Sequence, residues 1–577
     1  MNIIFKLFLF ACALLALLSL AATAQVTPTP GGVGLDPQRR QRDFLNEQQR
    51  RQNELVPPAA VPADDVESKP AEAKKNSDPN AVCINIQKVI FEEATLFGED
   101  ALHVNVPDSS CFTLDQIVGL VRDTTNLYIS AGYVTSRAYL PEQDLSSGTL
   151  RLVVIEGRIE AVELYQNGVR RHRGEGIIPV RKGEILHIRS IEQGLDQING
   201  LSSKDAKISF RPGSEQGTSI VVIEIKSGRQ WQATVGFDNS GADNTGKAQF
   251  DGSIVVEDIF GLFETISLSH KNSDPTIAES RLSGNTALSI SVPRGNWTGR
   301  WTSTFYNYVS QIEGLNQQFE LSGTNWSHDA QVERLLIRDQ VSKTYARFGM
   351  SVKDARNFLE DTLIETSSRI LSVARLELAH TRRVLGGALS LQAGIDQGTT
   401  LFGAPNDSRA PARSPKAQFT KLDAEVSFFR QWQAGPGTVS ANTRLTGQYS
   451  PHRLFGSEQL GIGGISSVRG FDRDSLSAEN GFYVRNELGY TPEIFEGTLA
   501  KYLGKPTLFA GLDAGWQLPG PTTPKRYETV TGAAFGARLQ GGIAYGEVSY
   551  ELPLSYPSSF SGDPVLRVRA GLVLSRF

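Results

Sequence analysis

The sequence predicts a membrane all-β protein: a sixteen-stranded transmembrane β-barrel preceded by two α+β domains and an N-terminal helix. Three observations predict this fold. Apolar and polar residues alternate through residues 229–577, as in strands with one face toward lipid. Residues 83–228 combine strand alternation with helical spacing. No stretch after residue 24 has the ~18 consecutive apolar residues that a transmembrane helix needs.

Residues 1–24 are predicted to be a cleaved signal peptide. A short apolar run extends from Ile3 to Leu20 and contains one charged side chain, Lys6. It is followed by Ala22-Thr23-Ala24, which has the small-x-small form of a cleavage site. An uncleaved membrane anchor is the alternative.

Two cysteines, Cys83 and Cys111, remain after this cleavage. Because an exported protein enters an oxidising compartment, a disulfide between them is the favoured interpretation. Two unpaired buried thiols are the alternative. Neither interpretation makes these cysteines catalytic.

The next two segments precede the folded domains. Residues 25–56 contain a predicted helix over residues 37–55, which is rich in good helix formers but has too few apolar side chains for a dry core. This helix is either solvated or lies in a wet, polar cavity, and its composition does not choose between the two. Residues 57–82 contain five prolines and have the composition of an extended linker.

Two consecutive α+β domains are predicted over residues 83–157 and 158–228. In the first domain a helical stripe is formed by Leu114, Ile117, Val118 and Val121. Leu150, Leu152 and Val154 alternate afterwards as in a half-buried strand. The second domain repeats the strand and helix signals in a shorter form.

Residues 229–577 are predicted to form the barrel. Sixteen candidate strands begin near residues 231, 247, 263, 282, 298, 317, 343, 366, 385, 418, 438, 481, 507, 532, 543 and 565. A soluble β-sandwich or propeller is the alternative. The even strand number and the aromatic strand ends favour the barrel.

A long connection between the eleventh and twelfth candidate strands contains Val468, Arg469, Gly470 and Phe471. If this loop folds into the barrel, its arginine is poorly hydrated and requires a carboxylate. The next strand offers one in Gly511-Leu512-Asp513-Ala514-Gly515, where Asp513 has the parity of the lumen, and Gly511 and Gly515 leave room for a loop. We therefore predict an Arg469–Asp513 pair in the lumen. A solvated loop arginine with an unrelated luminal aspartate is the alternative.

Several function classes have no support in the sequence. The charge is balanced, with 58 Lys+Arg against 62 Asp+Glu, which argues against a nucleic-acid partner. The sequence contains no H-E-x-x-H, G-x-S-x-G or G-x-x-x-x-G-K-[ST] motif. We accordingly predict no enzymatic activity, no catalytic or metal-ligating residues and no cofactor.

The order of these motifs resembles one family. The V-R-G-F loop followed by a G-x-D-x-G strand is similar to the transporters of two-partner secretion, the TpsB family of filamentous-haemagglutinin and haemolysin exporters within the superfamily of barrels with POTRA domains. Three segments resemble the two POTRA domains of that family: Pro141-Glu142-Gln143-Asp144-Leu145, Val154-Ile155-Glu156-Gly157-Arg158 and Ile191-Glu192-Gln193-Gly194-Leu195. The resemblance covers nearly all of the chain after residue 24.

This resemblance implies a location and a function. It implies a Gram-negative outer-membrane protein with periplasmic POTRA domains, which captures a large unfolded TpsA-type exoprotein and secretes it through the barrel. It also implies that the N-terminal helix plugs the barrel and that Arg469 and Asp513 form a conformational lock. The expected partners are the exoprotein, outer-membrane lipid and the barrel-assembly machinery, and the expected working form is a monomer. A barrel insertase of the same superfamily and a passive porin are the alternatives.

Overall fold

The computed structural model describes residues 82–104, 106–107, 110–273, 282–313, 317–411, 413–495 and 497–574. Within these ranges the chain forms two α+β domains and then a closed barrel. None of the helices in the described ranges has both the length and the apolarity to cross a bilayer. The predicted signal peptide, N-terminal helix and Pro-rich linker lie outside the described residues, except for Val82.

The first α+β domain packs two helices against a small parallel and antiparallel sheet. Its elements are β1 (Ile84–Asn85), β2 (Lys88–Glu92), α1 (Glu99–His103), β3 (Cys111–Phe112), α2 (Leu114–Ser130), β4 (Arg137–Tyr139) and β5 (Thr149–Ile155). The sheet order is β2-β5-β4, and β1 pairs with β3. Beside this short pair the sulfur atoms of Cys83 and Cys111 are bonded at 2.10 Å.

Helix α2 buries a different face from the one that the sequence pattern suggests. Its buried residues are Ile117, Leu120, Thr124 and Tyr128. Leu114 and Val118 are instead exposed, although they belong to the predicted apolar stripe. The period was therefore right, but the stripe was rotated, because Thr124 and Tyr128 enter the core through their hydrogen bonds to Leu120 and Glu156.

Glu156 is a buried carboxylate at the end of the first domain. It accepts hydrogen bonds from the backbone N–H groups of Thr95 and Leu96, at 2.7 and 3.0 Å, and from the Tyr128 hydroxyl at 3.0 Å. Burial raises the pKa of the Glu156 carboxyl, but the hydrogen bonds that it accepts outweigh burial and hold the pKa below its ordinary value. Glu156 thus ties the 95–96 loop and helix α2 to the end of β5.

The second α+β domain is a four-stranded sheet with one helix. Its elements are β6 (Arg158–Gln166), β7 (Val169–Arg171), α3 (Ile188–Asn199), β8 (Lys204–Pro212) and β9 (Thr218–Ser227). The sheet order is β7-β6-β9-β8, so β7 and β8 are the edge strands. Helix α3 packs Ile191 and Ile198 into the core, in agreement with its predicted helical spacing.

The barrel contains sixteen long strands in the described residues. They are β10 (Trp231–Asp238), β11 (Gln249–Glu257), β12 (Thr265–Ser273), β13 (Leu282–Arg294), β14 (Trp297–Glu313), β15 (Gln318–Arg338), β16 (Ser342–Leu359), β18 (Arg369–Val384), β19 (Gly387–Thr399), β20 (Thr420–Ala434), β21 (Gly437–Tyr449), β24 (Asn480–Pro492), β25 (Lys505–Leu518), β26 (Glu528–Gln540), β27 (Ala544–Ser555) and β28 (Val565–Val573). Each is antiparallel to its neighbours, and β10 pairs with β28 to close the barrel. The two-residue β17 (Thr362–Leu363) pairs with the last two residues of β16, and helix α4 (Gly497–Leu503) precedes β25.

The sixteen-stranded prediction is confirmed, and every strand begins within four residues of its predicted start. The largest difference is at β26, which begins at Glu528 rather than near residue 532. Its first residues pair with the end of β25, from Gln517 back to Ala514. Strand ends outside the lipid-facing band need not alternate, so their limits are weakly encoded in the sequence.

At the closing seam, the described residues of β10 and β28 share five paired positions, from Thr234↔Val573 to Asp238↔Arg569. Asn239 continues the pairing with its side chain. Its amide donates to the carbonyl oxygen of Leu566 at 2.7 Å, and its Oδ1 accepts from Val568 N at 2.9 Å.

We predict that Glu156→Ala loosens the first domain. The substitution removes the carboxylate that accepts from the N–H groups of Thr95 and Leu96, and hydrogen bonds to a charged group contribute about 2 kcal/mol, so amide exchange at these positions accelerates about thirtyfold. Hydrogen-exchange mass spectrometry of the full chain measures this effect. Glu142→Ala removes an exposed glutamate of the same domain and serves as the control. Unchanged exchange in Glu156→Ala would contradict the assigned role.

Candidate functional site: a loop inside the barrel

The connection between β21 and β24 folds into the barrel. It contains the short antiparallel strands β22 (Leu460–Ile462) and β23 (Leu476–Ala478). Its side chains and backbone contact wall strands as far apart as β16, through Lys353, and β27, through Glu551. Because those strands lie on different parts of a closed barrel, the loop crosses the lumen.

Arg469 of this loop and Asp513 of wall strand β25 form a buried ion pair. Nε of Arg469 lies 2.7 Å from Oδ2 of Asp513, and Nη2 lies 2.9 Å from Oδ1, a bidentate arrangement. The backbone N–H of Arg469 also donates to Oδ2 at 3.1 Å. The two residues are 3% and 0% exposed.

The remaining donors of the guanidinium are satisfied by strand β24. Nη1 donates to Glu487 at 2.7 Å, and Nη2 donates to the carbonyl oxygen of Asn486 at 2.9 Å. Glu487 in turn pairs with Arg538 of β26 at 2.9 Å. The arginine is thus held by two carboxylates and a carbonyl, which compensates for the hydration that it loses in the loop.

Glycines give the loop access to the wall. A Cβ atom on Gly511 would lie 1.9 Å from Nη2 of Arg469, and one on Gly515 would lie 2.2 Å from Ile462. Gly470 has a φ of +97°, which favours glycine. A Cβ atom added to Gly470 would lie 2.7 Å from the backbone of Leu552. Any side chain at these positions would displace the loop.

Apolar residues fix the two ends of the V-R-G-F segment. Val468 and Phe471 are buried in one cluster with loop residue Ile462 and wall residue Val530. Phe471 also contacts the Phe560 ring edge-on, with centroids 5.6 Å apart. The charged pair therefore lies between two apolar contacts that exclude water from it.

A second anchor of the loop was missed in the sequence. Glu458 is buried and lies 2.6 Å from Nζ of Lys353 in β16 and 3.2 Å from Nζ of Lys421 in β20. Lys421 also pairs with Asp396 at 3.1 Å. The argument used for Arg469, that an inward charge needs a luminal partner of opposite sign, applies equally to Glu458 and could have identified this anchor.

The predicted site residues lie in two regions of the molecule, the barrel lumen and the first α+β domain. Val468, Arg469, Gly470 and Phe471 meet the strand containing Gly511, Asp513 and Gly515 in the lumen. Cys83 and Cys111 are in the first α+β domain. In the described part of the chain, no group of His, Cys, Asp or Glu side chains is placed to hold a metal ion.

The comparison with family sequence models agrees with this architecture. The model described as haemolysin secretion/activation protein ShlB/FhaC/HecB matches residues 217–539. The chain belongs to this family. Two POTRA-domain models, one of the ShlB type, match residues 84–157 and 158–212, so the two α+β domains are POTRA domains.

Individual relatives are similar to this chain over most of its length. The chain is 31% identical over 532 residues to the outer membrane transporter CdiB of Dickeya dadantii, covering 90% of this chain and 92% of the relative. It is 29% identical to the hemolysin transporter protein ShlB of Serratia marcescens over 74% of this chain and 75% of the relative. The solved structure of CdiB from Escherichia coli superposes with a TM-score of 0.82 at 29% identity, covering 94% of this chain and all of that one.

The family assignment settles the class of function. The chain is an outer-membrane transporter of the two-partner secretion type, with its POTRA domains in the periplasm. Members of this family are transporters rather than enzymes, which confirms the expectation that the chain is not an enzyme. The insertase and porin alternatives are not favoured.

We predict that Gly511→Ala expels Arg469 from its site. The new methyl group would occupy the position of the guanidinium, so the loop must move away from β25. Trypsin should then cleave after Arg469, which is protected in the parent protein, and mass spectrometry of the released peptide detects the cut. Gly299→Ala is the matched control because a Cβ there meets nothing within 4 Å. Equal protection in both variants would refute the close approach.

Proposed function

We propose that this transporter captures an unfolded TpsA-type exoprotein in the periplasm and releases the path through its barrel by moving the luminal loop. The observation that carries this proposal is the buried Arg469–Asp513 pair, which holds the loop across the lumen. A polypeptide in the barrel requires the same space. The loop must therefore leave its site, or be displaced within the lumen, during secretion.

In this proposal Arg469 and Asp513 act as a conformational lock. The pair is specific in geometry, yet a buried ion pair contributes little net stability, because desolvation offsets much of the charge attraction. Such a pair fixes one position of the loop without making that position irreversible. Glu458 is a second anchor of the loop, because it pairs with Lys353 of β16 and Lys421 of β20.

We propose that the POTRA domains capture cargo at their sheet edges. Strands β4 and β8 are edge strands, and an extended segment can add to such an edge through backbone hydrogen bonds. Next to β4, Tyr139 and Leu140 are exposed, as are Leu114 and Val118 on helix α2. Exposed apolar side chains on two elements of the first domain suit an unfolded, β-rich substrate.

The N-terminal segments complete the proposal. We propose that residues 37–55 act as a polar helix that plugs the lumen and that residues 57–82 tether it so that it can leave, after removal of the signal peptide at residues 1–24. The supporting observation is compositional: this segment has few apolar residues, and the lumen is lined by charges such as Arg375, Asp396 and Lys421. We further propose that the barrel-assembly machinery inserts the protein and that it works as a monomer.

We predict that Arg469→Ala or Asp513→Ala impairs secretion more than barrel assembly. Arg469→Ala leaves the buried Asp513 carboxylate without its arginine, and Asp513→Ala leaves Arg469 with Glu487. Removing one partner of a buried pair costs about 3–5 kcal/mol, so we expect export of the exoprotein to fall about tenfold or more. The exoprotein encoded by a neighbouring gene is expressed with each variant and blotted in the medium. Heat-modifiable gel mobility measures the folded barrel.

Two controls make this assay decisive. Arg526→Ala removes an arginine in an exposed ion pair with Glu528 and should leave export unchanged. Omitting the transporter should abolish export. If export is the same without the transporter, that exoprotein is not its cargo. If Arg469→Ala lowers export and folded barrel equally, the pair is structural rather than a lock.

We predict that deletion of residues 25–55 increases the conductance of the purified channel. Removal of a luminal helix leaves a wider aqueous path, whereas removal of a solvated helix leaves the path unchanged. Planar-bilayer recordings of the parent and deleted proteins measure the difference. Unchanged current would refute the plug, while the lock could still be tested separately through Arg469.

A further inference from the structure

The turn between β11 and β12 joins the barrel to the second POTRA domain. Phe263 of this turn is 1% exposed and belongs to the hydrophobic core of that domain. Asp258 of the turn accepts both Nη atoms of Arg171 at 2.6 Å and Nζ of Lys204 at 2.7 Å. One aromatic ring and one carboxylate thus fasten the turn to the domain.

The carboxylates of this region are compensated inside the structure. Glu257 accepts from the backbone of Ser202 and Ser203 at 3.0 and 2.8 Å, and Glu264 accepts from the N–H groups of Phe260 and Leu262. Burial raises the pKa of Asp258, but the bonds from Arg171 and Lys204 outweigh it and hold the pKa below its ordinary value. These acidic groups are buried, so they present little negative charge at the surface.

Three other apolar side chains of the same turn point outward. Ile259, Phe260 and Leu262 are 52%, 58% and 48% exposed. The backbone that presents them is fixed by Glu264 and by Phe263. Large apolar groups held rigidly in water are unfavourable, at about 25 cal/mol per Å² of exposed apolar surface, so this arrangement indicates a partner.

The outward side chains continue the lipid-facing surface of the barrel. On the strands that lead into the turn, Ile254 and Leu268 are exposed and lie opposite each other. On β10, exposed Trp231 pairs with Val256, the outward residue nearest the turn. Trp at this position is typical of a membrane–water boundary. The turn therefore lies where the hydrocarbon surface of the barrel meets the periplasmic headgroups.

Basic side chains lie on both sides of the turn. Arg173 of the POTRA domain is exposed and donates to the carbonyl oxygen of Phe260 at 3.3 Å. Arg229 is also exposed and lies 5.2 Å from the ring centroid of Trp231. Apolar side chains flanked by guanidinium groups match the chemistry of a phospholipid: the apolar groups suit the acyl chains, and the guanidinium groups suit the headgroup phosphates.

We propose that this edge is a phospholipid-binding foot: Ile259, Phe260 and Leu262 insert into the periplasmic leaflet, and Arg173 binds a headgroup phosphate. Since Phe263 and Asp258 fasten the same turn to the second POTRA domain, the foot fixes the height and tilt of that domain at the membrane. This role is independent of the cargo and of the luminal lock.

The insertion is tested with a nitroxide label on Phe260→Cys in the full-length protein, reconstituted in vesicles of phosphatidylethanolamine and phosphatidylglycerol. Oxygen, which concentrates in the bilayer, should relax this label more than a water-soluble nickel complex does. A label on Glu215→Cys, in the turn that follows the other end of β8, should show the reverse order. If both labels are equally accessible to nickel, the foot does not insert and the proposal fails.

The headgroup contact is tested with Arg173→Gln. Phosphatidylglycerol is titrated into the full-length protein in micelles, and bound lipid is counted by native mass spectrometry. Loss of one surface arginine should weaken its binding about fivefold, while phosphatidylcholine binding changes less. Arg211→Gln makes the same charge change near the end of β8 that is remote from the turn and should have no effect. Equal affinities in the two variants, with barrels of normal heat-modifiable mobility, would overturn the phosphate contact.

Discussion

A charged loop inside a barrel can persist only if the wall supplies the opposite charge, and the Arg469–Asp513 pair meets this constraint. Its consequences extend through the neighbouring sequence. Gly511 must lack a side chain to admit the guanidinium, and Glu487 must compensate the remaining positive charge. Val468 and Phe471 then exclude water on either side. One ion pair therefore accounts for most of the unusual residues of this region.

The luminal loop and the β11–β12 turn are fastened by the same two kinds of contact. Each has a buried ion pair, Arg469–Asp513 in the loop and Arg171–Asp258 in the turn, whose net energy is small because desolvation opposes attraction. Each also buries a phenylalanine ring, and burial of such a ring is favourable by itself. The two differ in what surrounds the ring, because Phe471 packs between the loop and the barrel wall, whereas Phe263 enters the core of a separate domain.

Much of the fold was predictable, because alternation records which side of each strand faces lipid. Parity also placed Asp513 on the luminal side, where it lies beside Arg469, but parity alone left a solvated loop arginine as an open alternative. The burial of Phe263 in another domain was not, because a short D-I-F-G-L-F-E turn carries no period that distinguishes one phenylalanine from its neighbour. The exposed Leu114 and Val118 show a related limit: helical spacing identifies a stripe, but Thr124 and Tyr128 turned the buried face through hydrogen bonds that sequence periodicity does not encode.

The closing seam has a mechanical consequence. In a closed ring of strands, an outward force on the wall is carried by every neighbouring pair in series. Among the described residues of β10 and β28, that load falls on five backbone pairs and on the side chain of Asn239. An amide side chain therefore shares, at the line where the two ends of the barrel meet, a tension that backbone hydrogen bonds carry along the strands.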